Sequence, residues 1–407
     1  MKLKDFPAKI ERVNVLAGSD SSGLLSFENG SFAFSYLPQG VPVSVTMPNR
    51  TASYNSGALH PIFEMNLPEG FVRQAISERL IRYTKVNDLL FLALQQDRGI
   101  GRLSYSSELA IEPPSTENLE ALIHWDNSES VFEYLLDKFL LYTAVSGVQP
   151  KVMVPTDKAT LLQPDLIIKT GGDGFPNLAL NEFVCMSIAK ACGIATPEFW
   201  LSDNEELFIM KRFDIASNGS ALGMEDFAVL MKKSSTEKYL SSYESVAKVI
   251  DLYCSDPGQK QIIFDYIAIS CLLGNGDAHL KNFALLYTDT NDNDLRLSPL
   301  YDVVNSLPYP ELSNDLALSM NKSKAFPDKN GLLKFARNIG LRKQTDRLNE
   351  MADIAMQFIH GFERWNSFPE LKKSLEKSIS QTMIEPSSGV KLPRRSPKKR
   401  KTDRLLN

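Results

Sequence analysis

The sequence predicts an α+β fold: a β-rich N-terminal domain, then a small mixed lobe, then a mainly helical C-terminal lobe. Three observations carry this. Short alternating runs, Leu24–Phe27 and Ser31–Tyr36, are broken by Gly, Asn and Pro turns, as in an antiparallel sheet. A β-like run, Asp165–Lys169, leads through glycines into an apolar helical stretch that ends at Gly193. Beyond residue 240 helical periodicity dominates, as in Tyr243–Tyr253 and Asp346–Phe362. The expected divisions are 1–110, 111–210, 211–385 and a basic tail, 386–407.

With 407 residues the chain has room for two or three domains and a large core. Hydrophobic residues make up 43% and charged residues 23%, the balance of an ordinary water-exposed globular protein. No apolar run reaches the roughly 20 residues that span a bilayer. The start, Met1–Asp5, lacks the apolar core of a secretory signal, so a cytoplasmic location is expected. Cys185, Cys192, Cys254 and Cys271 lack CxxC spacing and lie in or beside apolar segments, as reduced thiols would. The net charge of −4 hides an asymmetry: Lys391–Asn407 carries eight basic residues and one Asp, leaving −11 on the rest. An acidic body argues against a broad nucleic-acid-binding face.

In the N-terminal domain the turn Pro61–Gly70 precedes an amphipathic helix over 71–83, and Asn87 is a candidate N-cap for a second helix reaching Gln96. Asn66 and Glu69, beside a Leu-Pro turn, read as structural residues. The run Glu112–Glu117, rich in Pro, Ser and Glu, marks a boundary, and His124 beside Trp125 reads as a surface pair. The tail from about Ser387 has the composition of a disordered segment.

The chemistry concentrates in Leu273–Tyr287. A buried helix, Ile262–Leu273, runs into Gly274-Asn275-Gly276-Asp277-Ala278-His279-Leu280-Lys281-Asn282, and the strand Phe283–Tyr287 follows. A polar turn and a return strand, Leu295–Ser298, then lead to Asp302. Protein kinases use this order: an Asp that positions the acceptor hydroxyl, an Asn five residues on that holds a metal, a hairpin, and a second metal-binding Asp. Upstream, Lys169 ends a strand and Glu182 lies early in the next helix, the pair kinases use to steady the α- and β-phosphates. Alone, either residue would read as a surface charge or a helix-dipole partner. Ahead of them, Thr143–Val154 is a small-residue segment whose amides could approach phosphates, but with one Gly and no P-loop pattern it reads, taken alone, as a plain hairpin turn. The strand Glu206–Asp214 falls where kinases join their two lobes.

With these elements the chain resembles the HipA family of bacterial toxin serine/threonine kinases, over residues 10–370. The loop Gly274–Asn282 is the most specific element, supported by Ser146–Lys151 and the Asn66–Gly70 turn. The resemblance implies a protein-kinase-like fold, with ATP and Mg2+ as cofactors. Asp277 is then the catalytic residue, and Asn282 and Asp302 are the metal ligands. Ser146, Gly147, Val148, Gln149, Lys151, Lys169, Lys211, Phe213, His279, Lys281 and Asn282 bind ATP, with Lys211 to Phe213 meeting the adenine through backbone. Glu182 pairs with Lys169, and Ser146 is the site of self-phosphorylation, since the position two before it is Ala144. It further implies a helix-turn-helix, HipB-like antitoxin as partner, DNA contact through that antitoxin, and a protein substrate such as an aminoacyl-tRNA synthetase. Two other readings use the same residues: a small-molecule or lipid phosphotransferase, and a nucleotide-binding co-repressor without kinase activity.

Overall fold

A computed structural model describes residues 6–109, 111, 114–125, 130–142, 149–157, 165–172, 174–312 and 314–384. Three antiparallel sheets and a helical layer account for most of them. The first sheet joins β1 (Arg12–Ala17), β2 (Asp20–Glu28), β3 (Ser31–Tyr36), β4 (Tyr54–Ser56) and β5 (Leu103–Ser106) in the order β4-β3-β2-β1-β5. Val13, Val15 and Ala17 alternate inward from β1, as a half-buried strand requires. Helices α1 (Pro61–Glu64), α2 (Gly70–Leu80) and α3 (Asp88–Gln95) cover this sheet. Asn87 caps α3 by accepting the Leu90 amide at 2.8 Å, as its position predicts. Helices α4 (Leu119–Ile123) and α5 (Val131–Phe139) extend the same core.

The second sheet, in the order β6-β7-β9-β8, comprises β6 (Lys151–Val154), β7 (Leu166–Thr170), β8 (Phe199–Leu201) and β9 (Leu207–Lys211). It separates two cores. Val152, Val154, Leu166, Ile168, Leu207 and Ile209 face the N-terminal core. Met153, Ile167, Phe208 and Met210 face the other. The register sets Lys151 opposite Lys169, so period-2 geometry puts both lysines on the second face.

Helix α6 (Leu178–Ala191) packs against that face and stops before Gly193, whose φ of +75° is the left-handed conformation foreseen for a helix end. The helix starts two residues earlier than the sequence implies, so Glu182 sits one turn in rather than in the opening turn. The C-terminal lobe contains α7 (Phe227–Leu230), α8 (Tyr243–Tyr253), α9 (Gln259–Leu272), α10 (Lys329–Asn338), α11 (Thr345–Gly361) and α12 (Pro369–Thr382). A small sheet, in the order β10-β11-β12, comprises β10 (Gly223–Asp226), β11 (Ala284–Tyr287) and β12 (Arg296–Leu297). The hairpin β11–β12 is the expected return after the loop. Helix α9 is apolar nearly all round because α8, α11 and α12 surround it. Each fully buried Ile, Leu or Phe there contributes about 1.5–3 kcal/mol. Cys185, Cys192 and Cys271 are buried and all four cysteines are free thiols. Among the described residues no helix is long and apolar enough to cross a membrane. The basic tail and residues 143–148 lie outside the described residues.

Candidate active site

The turn after α9 explains the position of the loop. Gly274 has φ +69°, and a Cβ there would come within 2.7 Å of Leu307 and 3.0 Å of the Ser378 hydroxyl, so only glycine fits. From this turn the loop is held on several sides. The Gly276 amide donates to Ser306 Oγ at 2.9 Å, and the Asp277 amide to Asn275 Oδ1 at 3.0 Å. Tyr243 donates its hydroxyl to the Ala278 carbonyl at 3.0 Å. A 3-10 turn, Leu280–Asn282, then hands the chain to β11.

The loop, the β7 lysine and Asp302 converge on one cavity of about 590 Å³ between the N-terminal region and the C-terminal lobe. Lys169 Nζ is 2.5 Å from Glu182 and 2.7 Å from Asp302; the lysine and Glu182 are buried against the sheet and Asp302 is half-buried at its edge. Asn282 donates Nδ2 to Asp302 Oδ2 at 3.0 Å. Asp302 itself has φ +62°, an uncommon backbone for a residue with a Cβ, placed at the junction of these contacts. Burial alone would raise the Asp302 carboxyl, but Lys169 and Lys151 outweigh it and hold the group well below the usual carboxylate range. Burial lowers Lys169, and the two carboxylates beside it more than reverse that. Lys151, buried and facing Lys169, is pushed down to about 8.

The other expected residues fall as follows. Asp277 lines the cavity; burial raises its carboxyl, opposed by the hydroxyl of Tyr239, which donates to Oδ1 at 2.8 Å. His279 is buried with no partner for Nδ1 among the described residues, and burial pushes it down to about 3, so its ring is neutral at ordinary pH. Gln149 lines the cavity and donates to the Thr170 carbonyl at 3.2 Å. Phe213 also lines it, its ring centroid 5.2 Å from that of Tyr301, as do the apolar side chains of Ile167 and Met210. Lys281 reaches the cavity while paired with Glu69 of the N-terminal region. Lys211 is not brought in. Its ammonium is exposed, 3.1 Å from Glu198, and its amide donates to the Glu198 carbonyl. Ser146, Gly147 and Val148 lie outside the described residues.

Sequence reasoning missed Tyr239 and the reach of Glu69. Tyr239 sits in a short segment between α7 and α8 with no pattern to mark it, and Glu69 is 212 positions from its partner. No linear signal could have paired them.

The residues fit a magnesium ion. Among the described residues no group of three or more His, Cys, Asp or Glu forms a metal cluster. Magnesium, however, commonly takes one or two protein oxygens and completes its shell with phosphate and water. Asn282 Oδ1 is buried with no hydrogen-bond partner among the described residues, while its amide nitrogen is committed to Asp302, leaving a carbonyl oxygen beside a carboxylate.

Fold and site together define a protein-kinase-like protein. Residues 143–361 match the HipA-like C-terminal domain and residues 13–106 the HipA N-terminal domain. The chain belongs to the HipA family. It is 30% identical over 236 residues to an inferred kinase of Haemophilus influenzae, covering 49% of this chain and 68% of that one. It is 27% identical over 279 residues to an inferred kinase of Sinorhizobium fredii, Y4dM, covering 65% and 66%. A solved HipA from Shewanella oneidensis MR-1, in complex with HipB and operator DNA, superposes with a TM-score of 0.67 at 20% identity, covering 90% of this chain and 96% of that one. That likeness establishes the shared fold.

Proposed function

We propose that this chain is an ATP- and magnesium-dependent serine/threonine protein kinase, the toxin of a toxin–antitoxin module. One observation carries the reading: Lys169, held by Glu182, lines one cavity with Asp302, Asn282 and Asp277, and the apolar Phe213, Tyr301, Ile167 and Met210 line it too. A triphosphate needs the charged side chains, and a purine ring needs the apolar surface beside Phe213 and Tyr301. Phosphoryl transfer asks for positioning and charge stabilisation rather than covalent catalysis. Magnesium, held by Asn282 and Asp302, would neutralise phosphate charge. Lys169 would bind the α- and β-phosphates with Glu182 fixing its ammonium. Asp277 would orient the acceptor hydroxyl and take its proton.

The finer roles belong to the same proposal. The partner is a HipB-like antitoxin that contacts DNA, the substrate is a translation factor such as an aminoacyl-tRNA synthetase, and Ser146 accepts phosphate in cis. We also assign 1–110 to an N-terminal domain, 111–210 to the smaller kinase lobe and 211–385 to the larger. Family membership and the shared fold support this reading.

The test is intact mass before and after incubation with ATP and magnesium, alongside labelling of lysate proteins from γ-labelled ATP. Asp277→Gln should retain the fold and lose all transfer. Transfer by that variant at the parental rate would remove Asp277 from its role. Label confined to small molecules would favour a small-molecule or lipid phosphotransferase.

A further inference from the structure

The carboxylate of Asp277 has one oxygen held and one open. Tyr239 donates its hydroxyl to Oδ1 at 2.8 Å. Among the described residues Oδ2 takes no hydrogen bond, and Asp277 lines the cavity. A residue that orients an acceptor hydroxyl needs this asymmetry: one oxygen fixed so that the other is aimed.

The segment bearing Tyr239 is itself anchored to the loop. A capping box between Ser234 and Glu237 closes the turn before it. The Leu280 amide donates to the Lys238 carbonyl at 3.2 Å, tying the segment to the catalytic loop three residues past Asp277. The Ser235 hydroxyl donates to Glu69 at 3.0 Å and its amide to Glu64 at 3.2 Å, tying it to the N-terminal region. The Tyr239 ring stands edge-on to His279, with centroids 5.1 Å apart. It stays 38% exposed on the cavity wall, so it touches the solvent through which an acceptor must enter.

We propose that Tyr239 is a positioning residue for phosphoryl transfer, holding Asp277 Oδ1 so that Oδ2 meets the incoming hydroxyl. This rests on the kinase reading above. The hydroxyl of Tyr239 takes no part in the covalent step. The acceptor oxygen bonds to the γ-phosphorus, the bond from that phosphorus to the β–γ bridging oxygen breaks, ADP departs with the electron pair, and the acceptor's proton goes to Asp277. Burial pushes the Asp277 carboxyl toward its neutral form, and the phenol is the strongest opposing influence, ahead of the charge of Lys238.

The experiment compares the full-length parent with Tyr239→Phe, which removes one oxygen and keeps the ring. Initial rates of protein labelling in lysate from γ-labelled ATP give kcat and the KM for ATP, and titration with a fluorescent ATP analogue gives nucleotide affinity. The expected result is a loss in kcat of roughly ten- to a hundredfold, the worth of a hydrogen bond to a charged group, with KM for ATP and analogue affinity within twofold of the parent. A merely structural role would move melting temperature and nucleotide affinity together with kcat. Equal kcat in the two proteins overturns the assignment. A rise in kcat also overturns it, since the phenol would then be competing with the acceptor. If the parent labels nothing while binding the analogue, the kinase reading fails and this role with it. Labelling by the parent with no change in the variant removes Tyr239 alone.

Discussion

Lys169 and Glu182 meet at 2.5 Å across the interface between β7 and α6, both side chains at most 3% exposed. Asp302 takes the other side of the same ammonium. Lys169→Met would leave the fully buried Glu182 carboxylate without its cation beside a half-buried Asp302, and removing one member of a buried pair costs about 3–5 kcal/mol. We expect a loss of that order in chemical denaturation and the disappearance of phosphate transfer. Glu182→Gln keeps the volume and leaves Asp302 to hold Lys169, so it should lower transfer less than Lys169→Met does. An equal loss in both variants would mean that Glu182 does more than steady the lysine.

Asn282 and Asp302 should act together on the metal. With Asp302→Asn the hydrogen bond from Asn282 can persist while the anionic oxygen is gone. Nucleotide binding, followed by calorimetry with and without magnesium, should lose most of its metal dependence. The metal-free affinity should change by less than the metal-dependent part. Unchanged magnesium dependence would exclude Asp302 as a ligand.

How far the sequence foretold this site depends on the reach of each contact. Asp277, Asn282 and Asp302 were legible because a helix, a glycine turn and a hairpin fix their order within a short span. Lys169 and Glu182 were legible because a strand, a short loop and a helix leave the two residues few ways to miss each other. The stretch Lys211 to Phe213 is expected to meet adenine through its backbone; the Lys211 side chain points to solvent with Glu198 beside it, while Met210, Phe213 and Asp214 line the cavity. Tyr239 and Glu69 were not legible, since tertiary packing alone brings them to Asp277 and Lys281. The two-faced sheet was visible only as apolar runs, because strands buried on both sides lose the polar alternation that would reveal their orientation.

Glu69 links the N-terminal region to the loop that carries Asp277. Its carboxylate pairs with Lys281 and accepts from Ser235, with both charged partners mostly buried. Glu69→Ala should cost about 1–3 kcal/mol of stability and lower transfer several-fold, because Lys281 directly precedes Asn282. A double-mutant cycle with Lys281→Ala tests the pairing: the combined loss should be clearly smaller than the sum of the single losses. Additive losses would show that the two residues act independently.

His60 makes stability depend on pH in a defined direction. Its Nδ1 accepts the Ile62 amide at 3.3 Å and caps α1, which requires the ring nitrogen to be unprotonated. Burial, with Lys232 adding to it, lowers its folded pKa from the ordinary 6.5 to about 4. Between those values the unfolded chain binds more protons than the folded one, so folding stability rises with pH. The contribution is fully present above pH 6.5 and is lost as the pH falls toward 4. His60→Gln keeps a capping oxygen and removes the titration. The stability gap between parent and variant, read by denaturant unfolding at pH 7 and again near pH 4.5, should shift in the variant's favour by up to about 3 kcal/mol. A gap that stays constant across this range would mean that His60 keeps an ordinary affinity for protons in the folded protein.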